Sequence, residues 1–147
     1  MTAFAAPAYA SGLTATQTVQ RMQVSEGIDG SEQISFVEAD TVTPGDRVLY
    51  SIDYTNESVD PIDNVKLVMP VPTEVAYVEN SATGEGASIA FSVDGGTSFA
   101  PRGELTVSVD GASRIALAEE ITHIKWTFES DISPGGAGDV SYLGLLK

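Results

Sequence analysis

The sequence predicts an all-β fold, either a sandwich or a barrel. Apolar and polar residues alternate with a period of two in short runs along the chain, which places the apolar side chains of each run on one face of a strand. Turn sequences rich in glycine, proline, aspartate and asparagine separate these runs. No stretch shows a sustained helical period, and many short punctuated strands are typical of sandwiches and barrels.

The first element, residues 1–10, is predicted to be an export signal rather than part of the fold. Ala8-Tyr9-Ala10 has the A-x-A pattern after which signal peptidase cuts, and no lysine or arginine precedes Arg21. The segment looks like the back half of a secretory signal, with the mature chain beginning near Ser11; an alanine-rich disordered terminus is the alternative. We therefore expect an exported protein, located outside the cell, at its surface or in the periplasm.

An N-terminal extension, residues 11–40, precedes the main domain. Thr16–Val24 and Gln33–Val37 are both strand-like, and the turn-rich segment Glu26–Ser31 joins them. The two strands could form the first hairpin of the sandwich. Alternatively, Thr16–Val24 could leave the subunit and pair with another chain.

The main domain, residues 41–147, contains the clearest strands. They are predicted around Val48–Thr55, Val65–Met69, Ile89–Val93, Leu105–Val109 and Ile124–Phe128. Asp94-Gly95-Gly96 predicts a hairpin, because glycine supplies the positive φ that such turns need. Ala116 to Ile121 is expected to make one helical turn at most. The large residues in the apolar phase of these strands are the predicted core anchors: Tyr50, Tyr54, Phe91, Trp126 and Phe128.

Residues 41–147 resemble the bacterial conserved repeat domain family (domain of unknown function 11), in its short, secreted, single-domain type. The landmarks that carry the resemblance, in shared order and spacing, are Val42-Thr43-Pro44-Gly45-Asp46, Tyr50 to Asn56, Val65 to Pro72, Tyr77 to Ala82, Phe91 to Gly96, Ile124-Lys125-Trp126 and Ile132 to Gly135. The resemblance implies an immunoglobulin-like β-sandwich with Trp126 between its sheets, a location at or beyond the cell surface, and a structural or adhesive role. Val68-Met69-Pro70 departs from the family, whose repeats often carry an aspartate in this region. The family has no established catalytic activity, and the resemblance implies no particular ligand.

Composition excludes several classes of function. Seven Lys+Arg against 21 Asp+Glu give a net charge of −14, which disfavours nucleic acid and anionic lipid as partners. The chain has no cysteine and one histidine, which excludes thiolate catalysis and multi-histidine metal sites. No apolar run is long enough for a transmembrane helix. His123 lies on the polar face of its strand, and no nucleophile-elbow motif is present, so we expect no enzyme.

Calcium is the one cofactor that the sequence leaves open. Ca²⁺ prefers six to eight oxygen ligands, often from loops. One acidic loop carries Glu57, Asp60, Asp63 and Asn64, and another carries Glu26, Asp29 and Glu32. Neither follows the EF-hand pattern, and solvated acidic loops that supply solubility are the alternative reading.

The leading functional hypothesis is a secreted, non-enzymatic structural protein that associates with itself into a homopolymer. An edge strand can accept a strand from another chain, and repeated head-to-tail donation of Thr16–Val24 would give a pilus-like filament. The assembly residues of that segment are Thr16, Thr18, Val19, Met22 and Val24. The alternative is a monomeric, adhesin-like module that binds glycan, protein or Ca²⁺ through its loops.

Overall fold

A computed structural model describes residues 12–38 and 41–147, and antiparallel β-strands dominate them. The predicted export segment, residues 1–10, lies outside the described residues. The strands are Leu13–Glu26 (β1), Glu32–Glu38 (β2), Arg47–Asn56 (β3), Lys66–Pro70 (β4), Val75–Tyr77 (β5), Thr83–Gly84 (β6), Ala87–Ser92 (β7), Thr106–Val109 (β8), Ala112–Ile115 (β9), His123–Phe128 (β10) and Ala137–Leu146 (β11). Single 3₁₀ turns occur at Arg102–Glu104 and Ala118–Glu120. The all-β prediction is confirmed.

The strands form two principal sheets. The larger sheet has the order β2-β1-β3-β11-β5, and β6 also pairs with β11. The smaller sheet has the order β4-β10-β7, and β8 and β9 form a separate hairpin. The two principal sheets face each other across the core, and the Tyr142 hydroxyl of β11 donates a 2.8 Å hydrogen bond to the Pro70 carbonyl of β4.

Alternation along the central strands fills the space between the sheets. In β10, every second residue is buried, and Trp126 is completely enclosed. Tyr50 stacks on Tyr142 at 5.0 Å, and Tyr54 meets the edge of Phe128 at 5.1 Å. All five predicted core anchors are buried. The core therefore lies where the period of two places it.

The segment from Asp94 to Val109 differs from the expectation. Instead of a full hairpin partner for β7, the chain returns to it through one bridge, between Phe91 and Ala100. Leu105 is buried but precedes its strand, while Val109 in β8 is exposed. The β8–β9 hairpin pairs with neither principal sheet, so only part of its apolar phase reaches the core.

Candidate assembly surface at the N-terminal hairpin

The 14 residues of β1 divide between two partners. Leu13 to Arg21 pair with β3, inside the large sheet. Gln20 to Glu26 pair with β2, so that from Met22 onward the hairpin continues as a two-stranded ribbon. We call this ribbon, residues 22–36, the arm. A two-stranded hairpin alone is marginally stable in water, so the arm is the part of the sheet with least support.

The register leaves one edge of β1 open. The Glu57 N–H donates to the Gly12 carbonyl at 2.9 Å, which sets the even-numbered residues of β1 as the ones bonded to β3. The Gly27 N–H donates to the Ser31 carbonyl at 2.6 Å, so the odd-numbered residues face β2, which ends level with Gln20. The backbone groups of Leu13, Ala15, Gln17 and Val19 thus lack a strand partner among the described residues.

This open edge carries none of the usual protection against pairing with another chain. Natural edge strands are interrupted by charges, prolines or bulges. Leu13 to Gln20 reads LTATQTVQ, without a charge or a proline, in a chain whose residues are 19% charged. The edge is therefore suited to strand pairing with another chain.

The inner face of β1 contributes little to the core. Leu13 is buried, Ala15 and Val19 are partly buried, and the intervening inner position is the polar Gln17. The structure buries 22 apolar side chains among the described residues, and Leu13 alone of these precedes Val48. Backbone hydrogen bonds to β3, rather than apolar packing, thus hold β1 in the sheet.

Arg21 is the last residue of β1 that pairs with β3. Its register partners are Val48 on β3 and Val37 on β2. The guanidinium Nε is buried and has no hydrogen-bond partner among the described residues. A buried donor without a partner costs about 1–3 kcal/mol.

The structure brings the predicted assembly residues onto one strand, in cis. Thr16 and Thr18 lie on the outer face of the large sheet, where the Thr18 hydroxyl is 2.6 Å from that of Ser51. Val19 faces inward and is partly buried. Met22 and Val24 lie in the arm. Sequence reasoning missed the open-edge residues Leu13 and Ala15, which precede the predicted segment Thr16–Val24, and it did not single out Gln17 within that segment.

The predicted calcium loop is organised by an asparagine. Asn56 is fully buried, and its amide donates to the carbonyls of Asp60 at 2.9 Å and Ile132 at 2.8 Å. Glu57, Asp60, Asp63 and Asn64 are exposed. Within residues 12–38 and 41–147 no group of three or more acidic or histidine side chains could hold a metal ion. Calcium binding at this loop stays a prediction.

A polar hollow of about 530 Å³ lies beside β6 and β11. Its lining includes the Tyr54 side chain and the acidic residues Glu85 and Asp139. Burial, reinforced by the negative charges of Asp139 and Glu85, raises the pKa of the Tyr54 phenol. Tyr54 is thus a core residue whose side chain also borders a surface hollow.

His123 is more enclosed than its strand phase predicts. It is half-buried, and Gly96 lies against its ring. Burial lowers the pKa of His123, and the opposing effect of Asp94 is smaller. Asp94 accepts hydrogen bonds from the hydroxyls of Ser92 at 2.6 Å and Ser98 at 2.5 Å, which organise the turn. Hydrogen bonds from Ser92 and Ser98 hold the Asp94 pKa well below its usual range.

Comparisons with protein-family models, with curated proteins and with solved structures find no match to this chain. The resemblance to the conserved repeat domain family therefore stays a prediction. No helix in the described part of the chain is long and apolar enough to cross a membrane.

Proposed function

We propose that this chain is an exported, non-enzymatic structural protein of the cell surface or extracellular matrix, built on an immunoglobulin-like domain. Each copy donates its β1 segment, Thr16–Val24, to the large sheet of the next copy, and repetition of this step gives a filament. The observation that carries the proposal is the distribution of the core along the chain. Among the described residues, the body, residues 47–147, holds all the buried apolar side chains except Leu13. Departure of β1 thus removes only one of the fully buried apolar side chains.

Exchange of β1 between copies leaves the number and type of its contacts with β3 nearly unchanged. The bonds that β1 makes with β3 in one chain are the same bonds that it makes with β3 of a neighbour, because both copies have the same sequence. Residues 39–46 connect Glu38 of β2 with Arg47 of β3. Fully extended, such a connection spans about 27 Å, which is enough to carry the hairpin to an adjacent copy. A head-to-tail contact that does not close forms a filament.

A cysteine pair tests the exchange directly. Thr18 and Ser51 are register partners, and residues opposite each other on antiparallel strands have Cα atoms close enough for a disulfide. The chain has no cysteine of its own, so T18C/S51C introduces one defined pair. Oxidation of assembled protein should give a covalent ladder of multimers on a non-reducing gel, because the two cysteines then belong to different copies.

The matched control is S51C/S141C. Ser51 and Ser141 are also register partners, but both lie in the body and stay in one chain whether or not β1 is exchanged. This variant should run as a monomer with an internal disulfide. If assembled T18C/S51C also runs only as a monomer, or if the native protein forms no assemblies, strand donation is wrong.

A monomeric binding module for glycan, protein or Ca²⁺ is the second candidate. The hollow bordered by Tyr54, Glu85 and Asp139 favours it, because a phenol and two carboxylates can orient a hydroxylated or cationic ligand. Binding that survives in monomers and is lost in D139N would support this function over assembly.

A further inference from the structure

The arm has one apolar face and one polar face. Met22 lies opposite Phe36, and Val24 lies opposite Ile34, all on the outer side of the sheet. Val24 is 53% exposed, Ile34 62% and Phe36 39%. The other side of the arm carries the polar residues Gln23, Ser25, Gln33 and Ser35. We call the four residues Met22, Val24, Ile34 and Phe36 the arm face.

The arm face continues onto the body. Leu49 of β3 is level with Gln20 of β1 and pairs on its other side with Leu143 of β11. Leu145 is also on the outer face, where it is 39% exposed. A contiguous row of exposed apolar side chains is typical of an interaction site.

Charged side chains also lie on this face: Glu26, Glu32 and Glu38 on the hairpin, and Arg47 on β3. Glu26 and Glu32 lie directly opposite each other near the arm tip, and like charges in that position destabilise a hairpin. Arg47 lies on the same face, one position past the last β1–β3 pair and therefore level with Met22. Its side chain forms no ion pair with the described residues. Along the strand direction, Arg47 lies four residues from Glu26 and Glu32. This separation is about 14 Å, which is too far for an ion pair within one chain.

A second copy, turned end to end by a two-fold rotation at the level of Val24, brings these charges together. The rotation places residues at the level of Met22 in one copy over residues at the level of Glu26 in the other. Each Arg47 therefore lies over the Glu26–Glu32 pair of the opposite copy. The same operation brings Ile28, which is fully exposed at the arm tip, to the level of Leu49 and Leu143 of the other copy. The operation thus gives Arg47 acidic partners and places Ile28 against apolar side chains.

We propose that two copies pack face to face through their arm faces, related by a two-fold axis near Val24, with Arg47 of each copy paired with Glu26 and Glu32 of the other. The occupant is a second copy because its charges match, whereas the acidic rim of this face repels an anionic membrane. The contact uses fewer residues than a standard interface, so it is weak in isolation and gains strength between filaments by multivalency. The contact goes beyond strand donation, and only its gain in strength by multivalency depends on filament formation.

Charge exchange between copies provides the test. Sedimentation velocity of the full chain, at concentrations up to about 1 mM, covers the range in which weak contacts form. R47E and E26R/E32R should each weaken the dimer at least fivefold, because like charges then meet. An equimolar mixture of the two variants should restore it, because each copy again faces the opposite charge. K66E and E104R/E119R change the net charge equally at exposed sites outside the face and should leave the dimer unchanged.

The apolar part is tested with V24T/I34T, which keeps β-forming side chains and should weaken the dimer at least tenfold. Circular dichroism establishes that each variant is folded. A monomeric wild type, equal association of all variants, or a mixture that fails to recover would overturn the proposal. So would V24T/I34T-sensitive binding to phosphatidylcholine vesicles without dimer formation. Repeating the series with T18C/S51C oxidised as a dilute monomer blocks strand exchange, so the two contacts succeed or fail separately.

Discussion

The indole Nε1 of Trp126 donates a 3.0 Å hydrogen bond to the carbonyl of Thr83, which ties the central strand of the small sheet to the edge of the large one. The next residue, Gly84, gives the indole its space. A Cβ at that position would lie 2.6 Å from Trp126 Cδ1 and 2.9 Å from Val140 Cγ1. The two sheets therefore approach each other here only because one residue lacks a side chain.

Gly84→Ala should destabilise the fold by about 2 kcal/mol, since both neighbours are fully buried and must shift. Urea unfolding followed by tryptophan fluorescence measures the change. Gly103→Ala is the matched control, because no atom lies within 4 Å of a Cβ there. Equal stability of the two variants would show that Trp126 is not confined by Gly84.

Asn56→Ala should lower the free energy of unfolding by about 3 kcal/mol. The change removes one of the two donors to each of the carbonyls of Asp60 and Ile132, and it removes the acceptor of the Ser58 N–H. Ser58→Ala removes one hydroxyl from the same loop and should cost about 1 kcal/mol. Chemical denaturation of both variants gives the comparison, and a larger loss for Ser58→Ala would contradict the organising role of Asn56.

The Arg114–Glu120 pair should make a contribution to stability that disappears in acid. Arg114 donates to the Glu120 carboxylate at 2.7 and 3.0 Å and, with the Leu117 N–H, lowers the Glu120 pKa to about 2. A pKa that is lower in the folded chain than in the unfolded one stabilises the fold above the unfolded value of 4.5, and this stabilisation is lost as the pH falls toward 2. The urea midpoints of wild type and Glu120→Gln should therefore differ at pH 7 and converge between pH 4.5 and 2.

Glu119→Gln is the control for that titration, because the side chain of Glu119 makes no hydrogen bond with the described residues. At pH 7 its urea midpoint should equal that of the wild type. Added salt should reduce the Glu120 effect, since the pair is exposed to solvent. A wild-type to Glu120→Gln difference that persists at pH 2 would contradict the electrostatic origin.

Amide hydrogen exchange should alternate along β1. Thr14, Thr16 and Thr18 donate toward β3 and should exchange slowly, whereas Ala15 and Gln17 face the open edge and should exchange fast. Strand donation preserves this alternation in the assembled protein, because the donated strand replaces an identical one. Addition of a neighbour's strand at the open edge would instead protect the odd-numbered amides, so exchange measured by NMR distinguishes the two modes of assembly.

Period-two alternation predicted the central strands well, because burial on one face is what that pattern records. The sequence therefore placed β3, β4, β7 and β10 and the enclosure of Trp126. It did not single out β11, whose Gly138 and Gly144 weaken the strand pattern. At these positions Tyr54 and Val75 fill the space that a side chain would need. Packing against the rest of the chain, rather than local propensity, selects glycine there.

The candidate site was less predictable. Thr16–Val24 was recognised as a strand, but threonine and glutamine carry no apolar period that would mark its ends or its faces. Its division between β3 and β2 follows from register, which depends on residues distant in sequence, such as Asp53, 37 positions after its partner Thr16. The apolar pairing of Val24 with Ile34 likewise becomes visible only when the turn is fixed.

The pairing of β1 with β3 has a mechanical consequence. Nine register pairs join the strands side by side, from Leu13–Asn56 to Arg21–Val48. A pull along the strand axis loads the hydrogen bonds between them simultaneously, whereas a pull across it opens them one after another. In a filament whose copies are joined by this ladder, tension along the strands would be shared by all the bonds and resisted. The same copies would separate readily when they are peeled apart from one end.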